Sequence, residues 1–107
     1  MPDVHLVWDG LPFWLELKVS KGTRVNISPH QIAWHMAYYA RGGSSFFLVK
    51  RAKERDIVLF GGDQGPEVLE KGCSAPCVLR TCGPAHLFEG LRPILEARGP
   101  AALRPAP

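Results

Sequence analysis

Apolar and polar residues alternate over residues 3–19, and the alternation breaks once, at Asp9-Gly10-Leu11-Pro12. Alternation with period two marks half-buried strands, and Asp-Gly between two such runs is turn material. The pattern predicts an antiparallel hairpin of strands 3–8 and 13–19, with residue 8 opposite residue 13. In that register Asp3 faces Lys18 and His5 faces Glu16. Val4, Leu6, Trp8, Phe13, Leu15, Leu17 and Val19 share one side, which is continuously apolar and is the expected core face. Asp3, His5, Val7, Trp14, Glu16 and Lys18 share the other side, because successive strand residues point to opposite faces.

The period then changes. After a connecting loop over residues 20–27, Ser28 reads as a helix N-cap with Pro29 in the first helical position. The helix is expected to run to about Arg41, with Ile32, Met36 and Tyr39 as its apolar stripe. Ala33, Ala37 and Ala40 allow close packing, and Gly42-Gly43 ends it. Ser45–Lys50 and Asp56–Phe60 are apolar strands, and residues 61–66 a loop. Residues 66–71 suggest a short helix, and residues 77–81 a short strand or irregular chain. A second amphipathic helix covers 84–98, with Leu87, Phe88, Leu91, Ile94 and Leu95 inward and Pro93 expected to kink or end it. Residues 99–107 lack periodicity and read as a disordered tail. The fold class is therefore α/β, a mixed sheet in the order ββαββ flanked by helices, in a single domain over 1–98.

Composition changes this picture little. The 107 residues are 46% apolar and 21% charged, which is ordinary for a globular domain. No run reaches the roughly 20 apolar residues of a membrane span, and no signal peptide is evident. Three cysteines without a secretory signal fit a reducing cytoplasm. Cys73, Cys77, Cys82 and His86 can be drawn as a zinc set, but their spacing departs from the usual knuckles and incidental thiols are the better reading. The net charge of +3 excludes nothing; its distribution is more informative. Lys18, Lys21 and Arg24 follow the hairpin, and Lys50, Arg51, Lys53 and Arg55 lie between two strands. Basic clusters beside a metal would hold phosphates, while the plainer reading is solvated turns.

The polar face of the hairpin carries the chemistry. Cross-strand neighbours lie about 5 Å apart and diagonal ones about 7–8 Å, so Asp3 and Glu16 can converge on one cation. Mg²⁺ takes hard oxygen ligands and is commonly held by one or two carboxylates plus substrate phosphate. A lysine alongside can orient or help deprotonate a water and screen charge on a phosphorane. Asp3, Glu16 and Lys18 thus point to phosphodiester hydrolysis.

Pro2-Asp3 followed by Glu16-Leu17-Lys18 resembles the signature of the PD-(D/E)xK nuclease superfamily, which includes restriction endonucleases and Holliday-junction resolvases. Lys21-Gly22, Ser28-Pro29-His30-Gln31-Ile32-Ala33-Trp34-His35, Gly42-Gly43 and the strand from Ser45 are similar to compact VRR-NUC-type and phage-type members. The resemblance covers about residues 2–50. It implies a restriction-endonuclease-like fold and a Mg²⁺- or Mn²⁺-dependent endodeoxyribonuclease, structure-selective for branched or junction DNA. Compact size and the missing leading helix favour a homodimer, and the expected setting is the cytoplasm of a bacterium or phage-infected cell. Asp3, Glu16 and the Leu17 carbonyl would hold the metal, Lys18 would position or activate water, and Gln31 would orient that water or the lysine. Such nucleases usually carry a helix ahead of the PD motif, whereas here Met1 immediately precedes Pro2. A second subunit, a longer gene product or a metal with fewer ligands would each account for that. A nucleic-acid-binding module that kept the fold and lost activity is the alternative of a different class.

Several residues read two ways. Gln31 sits three residues after Ser28, the spacing of a capping box as well as of the family glutamine. His5 would contact the metal, water or phosphate, or only fill the cleft wall. His35 falls one turn after Gln31, within reach of the site. Trp34 and Tyr38 would stack on nucleobases, pack on a partner or, as the plainer reading, pack in the core, and Trp14 is the better candidate for lining a DNA groove. Lys21, Arg24, Lys50 and Arg51 complete the candidate DNA contacts.

Overall fold

The computed structural model describes residues 2–8 and 10–103. Five strands form one mixed sheet in sequence order: β1 (Val4–Trp8), β2 (Leu11–Ser20), β3 (Ser45–Arg51), β4 (Asp56–Gly61) and β5 (Leu79–Thr81). β2 and β3 are parallel and joined through helix α1 (Pro29–Ala40); every other neighbouring pair is antiparallel. Helix α2 (Gly65–Lys71) and helix α3 (Pro84–Leu103) complete the chain. The architecture is α/β with a five-stranded mixed sheet.

The hairpin differs from expectation in register. Trp8 pairs with Leu11 and His5 with Trp14, so only two positions of the chain separate the paired strands. Gly10 has φ of +78°, which suits a tight two-residue hairpin turn. Leu11 and Pro12, expected in the turn, belong to β2, and Pro12 pairs with Val7. The slip is two residues per pair, so every side chain keeps its face while its cross-strand partner changes. His5 therefore faces Trp14 rather than Glu16.

Both faces of the sheet are covered. On one, Phe13, Leu15, Phe46 and Leu59 pack under Leu91 and Leu95 of α3. On the other, Phe47, Val49, Val58 and Phe60 pack with Val25 and Ile27 of the connecting loop, Val68 of α2, Cys73 and Ala75. The expected core face of the hairpin is accordingly only half right. Phe13 and Leu15 are buried, but α3 does not reach the far end of β2, where Leu17 and Val19 are 46% and 71% exposed. Val19 borders an open cavity of about 640 Å³, lined also by Lys50, Ala52, Arg55, Ile57 and Cys82.

α1 also buries a different stripe. Met36 is 43% exposed, whereas His35 is fully buried. Ile32, His35 and Tyr39 form the inward row, a spacing of three and four residues. α3 passes through Pro93 without ending and continues to Leu103, beyond Gly99 where periodicity is lost; residues 104–107 lie outside the described residues. Among the described residues no helix is long and apolar enough to cross a membrane.

Candidate active site

The sheet face beneath α1 receives a polar cluster. Glu16 and Lys18 project there from β2, beside Phe47 and Val49 of β3, their partners in the parallel ladder. β2 outlasts β1: the ladder stops at Val4 and Leu15, and the chain bends at Asp3. That frees the β1-facing edge of β2 at Leu17, and Asp3 Oδ2 accepts the Leu17 N–H at 2.9 Å. In an antiparallel edge the N–H and C=O of one residue face the same neighbour. The Leu17 carbonyl therefore lies on the Asp3 side of the strand.

Asp3 and Glu16 are neighbours, and their environments shift them in opposite directions. The Leu17 N–H, then the Glu16 side chain, hold the exposed Asp3 below the ordinary carboxylate range. Glu16 is 2% exposed; burial first, then the Asp3 carboxylate, push it up to about 7 against the opposing pull of Lys18. One proton between two adjacent carboxylates follows from like-charge repulsion. The same arrangement of hard oxygens suits a divalent cation, which would relieve the repulsion and release that proton.

Lys18 is fixed from α1. Its Nζ donates to Gln31 Oε1 at 2.9 Å. The same oxygen accepts the Ser28 N–H at 3.0 Å, and Ser28 Oγ accepts the Gln31 N–H at 3.2 Å. Gln31 therefore closes a capping box and, through the same oxygen, holds the lysine.

His35, one turn after Gln31, is brought to the same cluster. It lies at the base of the cluster, its Nε2 3.5 Å from Glu16 Oε1. Neither ring nitrogen has a hydrogen-bond partner, nor has that carboxylate oxygen. Burial depresses His35 to about 4, so it is neutral near pH 7 and the contact is not an ion pair. Its spacing from Gln31 was the signal in the sequence for that placement.

Trp14 lies on the same face at the outer rim. Its ring is 4.5 Å from that of exposed His5 and 5.8 Å from that of Trp34, which stacks on Tyr38 at 4.9 Å. Lys21 and Arg24 are exposed on the loop after β2, which Ser20 Oγ ties back through the Gly22 and Arg24 carbonyls. Two candidate DNA contacts are not brought to this cluster. Lys50 points to the opposite face, into the cavity beside Val19. Arg51 is engaged with Asp56 through two hydrogen bonds of 2.6 and 2.8 Å.

Among the described residues no three His, Cys, Asp or Glu side chains are grouped as a ready metal cage. Cys73 and Cys77 pack in the core beneath α2, Cys82 is exposed on the opposite face, and exposed His86 pairs with Glu89 at 3.7 Å. They do not form a zinc set. Comparison with protein-family models, with curated proteins and with solved structures finds no match to this chain.

Proposed function

We propose that this chain is a metal-dependent DNA endonuclease of the restriction-endonuclease-like fold. The observation that carries the reading is the convergence of Asp3, Glu16, Lys18 and Gln31 on one sheet face, where two elements fix the lysine beside a carboxylate pair. A bound Mg²⁺ or Mn²⁺ would polarise the scissile phosphate and make its water more acidic. Asp3, Glu16 and the Leu17 carbonyl supply the oxygens to hold it. Lys18, restrained by Gln31, positions water for in-line attack and balances charge developing on the phosphorus. Exposed Lys21 and Arg24 serve the substrate backbone, and Trp14 the wall of the groove. Branched DNA as substrate, a homodimer and a cytoplasmic setting belong to the same proposal, on the strength of the resemblance.

Lys18→Ala tests it. With Mn²⁺ present, the substitution should lower cleavage at least about 100-fold, the scale of a lost proton-transfer or positioning group, with DNA affinity largely kept. Cleavage equal to the parent's would falsify the mechanism. A four-way junction cut no faster than linear duplex would remove the junction preference alone. A second reading, a binding module without activity, draws on the lack of a three-side-chain cage among the described residues. Tight DNA binding with no Mg²⁺- or Mn²⁺-dependent cleavage would establish it instead.

A further inference from the structure

We infer that His35 is a positioning residue for Glu16: its Nε2–H holds the Glu16 carboxylate in the orientation that binds the cation. The inference rests on the functional reading above and adds to it a side chain beneath the site.

Three observations carry it. His35 is fully buried, and both its ring nitrogens lack partners. A buried polar group without a partner costs about 1–3 kcal/mol, and native folds hold few of them, so each asks for a reason. The reason lies 3.5 Å away in Glu16 Oε1, itself buried and without a hydrogen-bond partner. The separation is slightly longer than a formed hydrogen bond. A small rotation of the carboxylate closes it.

The ring is also held in place. It lies 4.3 Å from the Phe47 ring and 5.2 Å from the Trp34 ring, centroid to centroid. Phe47 is the ladder partner of Glu16. The same strand pair that sets the carboxylate therefore sets the wall behind the histidine. Aromatic rings flank it on two sides, and Glu16 Oε1 lies 3.5 Å from Nε2. Outer partners of this kind orient a metal-binding group and set its basicity.

The alternative role, a direct metal ligand, fits less well. Asp3, Glu16 and His35 are not grouped as a cage. A ligating histidine normally donates its second nitrogen to an outer partner, and His35 Nδ1 has none.

The test uses the intact chain and reads binding rather than cleavage. Mn²⁺ affinity is measured by calorimetry for the wild type, Glu16→Gln, His35→Phe and His35→Gln, each checked for folding by circular dichroism. His35→Phe fills the space without a donor and should weaken Mn²⁺ binding about 10- to 100-fold, the usual cost of losing an outer partner. His35→Gln places an amide nitrogen near the position of Nε2 and should recover most of the loss. In ¹⁵N spectra of imidazole-labelled protein, Nε2 should carry the proton before and after Mg²⁺ is added. Mn²⁺ binding by His35→Phe equal to wild type would reduce the residue to core packing. Loss of the Nε2 proton on adding Mg²⁺ would make it a ligand and overturn the positioning role. Wild type that binds Mn²⁺ no better than Glu16→Gln would strike at the proposed metal site itself, a result distinguishable from both.

Discussion

Glu16 and Asp56 are both buried carboxylates on this sheet, and their surroundings are opposite. Asp56, at the start of β4, receives both arms of the Arg51 guanidinium, with Arg80 at 4.0 Å. Arg51 is its first cause of stabilisation, and the carboxylate is held below its usual range. Glu16, on β2, has an acid neighbour, a neutral histidine and an oxygen with no partner. The first is a completed ion pair joining neighbouring strands. The second is a buried carboxylate left with an oxygen that no described group pairs. A charge held in this way is what the proposed metal site would need.

The largest effect that could break this contrast is on stability. Asp56→Ala leaves two arginines facing an emptied position and should lower stability, because removing one partner of a close ion pair strands the other charge. Glu16→Gln removes a charge that the metal-free fold holds at a cost. It should raise stability at pH 8 by on the order of 1–3 kcal/mol. Urea unfolding in EDTA compares the two. Losses of similar size in both variants would end the distinction between pair and site.

The hairpin shows which part of this was legible beforehand. Period two assigns faces, and a register slip of two residues leaves that assignment intact, so Asp3, Glu16 and Lys18 fall together either way. The partner of each residue was not legible, because a four-residue turn and a two-residue turn share the same polar sequence. Ser28, Pro29 and Gly42-Gly43 delimit α1 by local chemistry, and its ends come out within a residue. Its inward face did not, since apolarity favours Met36 and the structure buries His35. A polar side chain is drawn inside by what it meets there, and no single-chain pattern records that. Leu17 and Val19 mislead for the converse reason: how far α3 extends over β2 is a tertiary fact.

The next effect is a pair of opposed pH slopes. Glu16 keeps its proton to about pH 7 in the folded chain against about 4.5 unfolded. The folded state then binds more protons across that window, and stability falls as pH rises through it. His35 titrates near 4 folded against 6.5 unfolded. There the unfolded chain binds more protons, and stability rises with pH. The two terms nearly cancel in the metal-free wild type between about pH 4.5 and 6.5. Glu16→Gln exposes the histidine term, a gain of about 3 kcal/mol on going from pH 4 to 6.5. His35→Gln exposes the glutamate term, a loss of about 3 kcal/mol from pH 4.5 to 7. Denaturant midpoints across this range read both slopes, and profiles of the same sign in the two variants would sink the account.

The smallest effect separates the two duties of Gln31, and it sharpens the contrast between a completed contact and a poised one. Ser28 Oγ only caps α1, whereas Gln31 Oε1 serves both the cap and Lys18. Ser28→Ala should cost about 1 kcal/mol, the usual worth of an N-cap, and leave Lys18 its partner. Gln31→Ala should cost a similar amount, since it deletes the return half of the same capping box. In cleavage the two part company. Without Gln31 the ammonium loses its only fixed acceptor among the described contacts and samples positions away from the carboxylates. Misplacement by about an ångström can cost up to 100-fold in rate, so Gln31→Ala should fall by roughly tenfold or more while Ser28→Ala stays near the parent. Gln31→Glu retains an acceptor for both donors and should keep the cap. Equal melting points with equal cleavage in the Ser28 and Gln31 alanine variants would leave the glutamine a cap and nothing else.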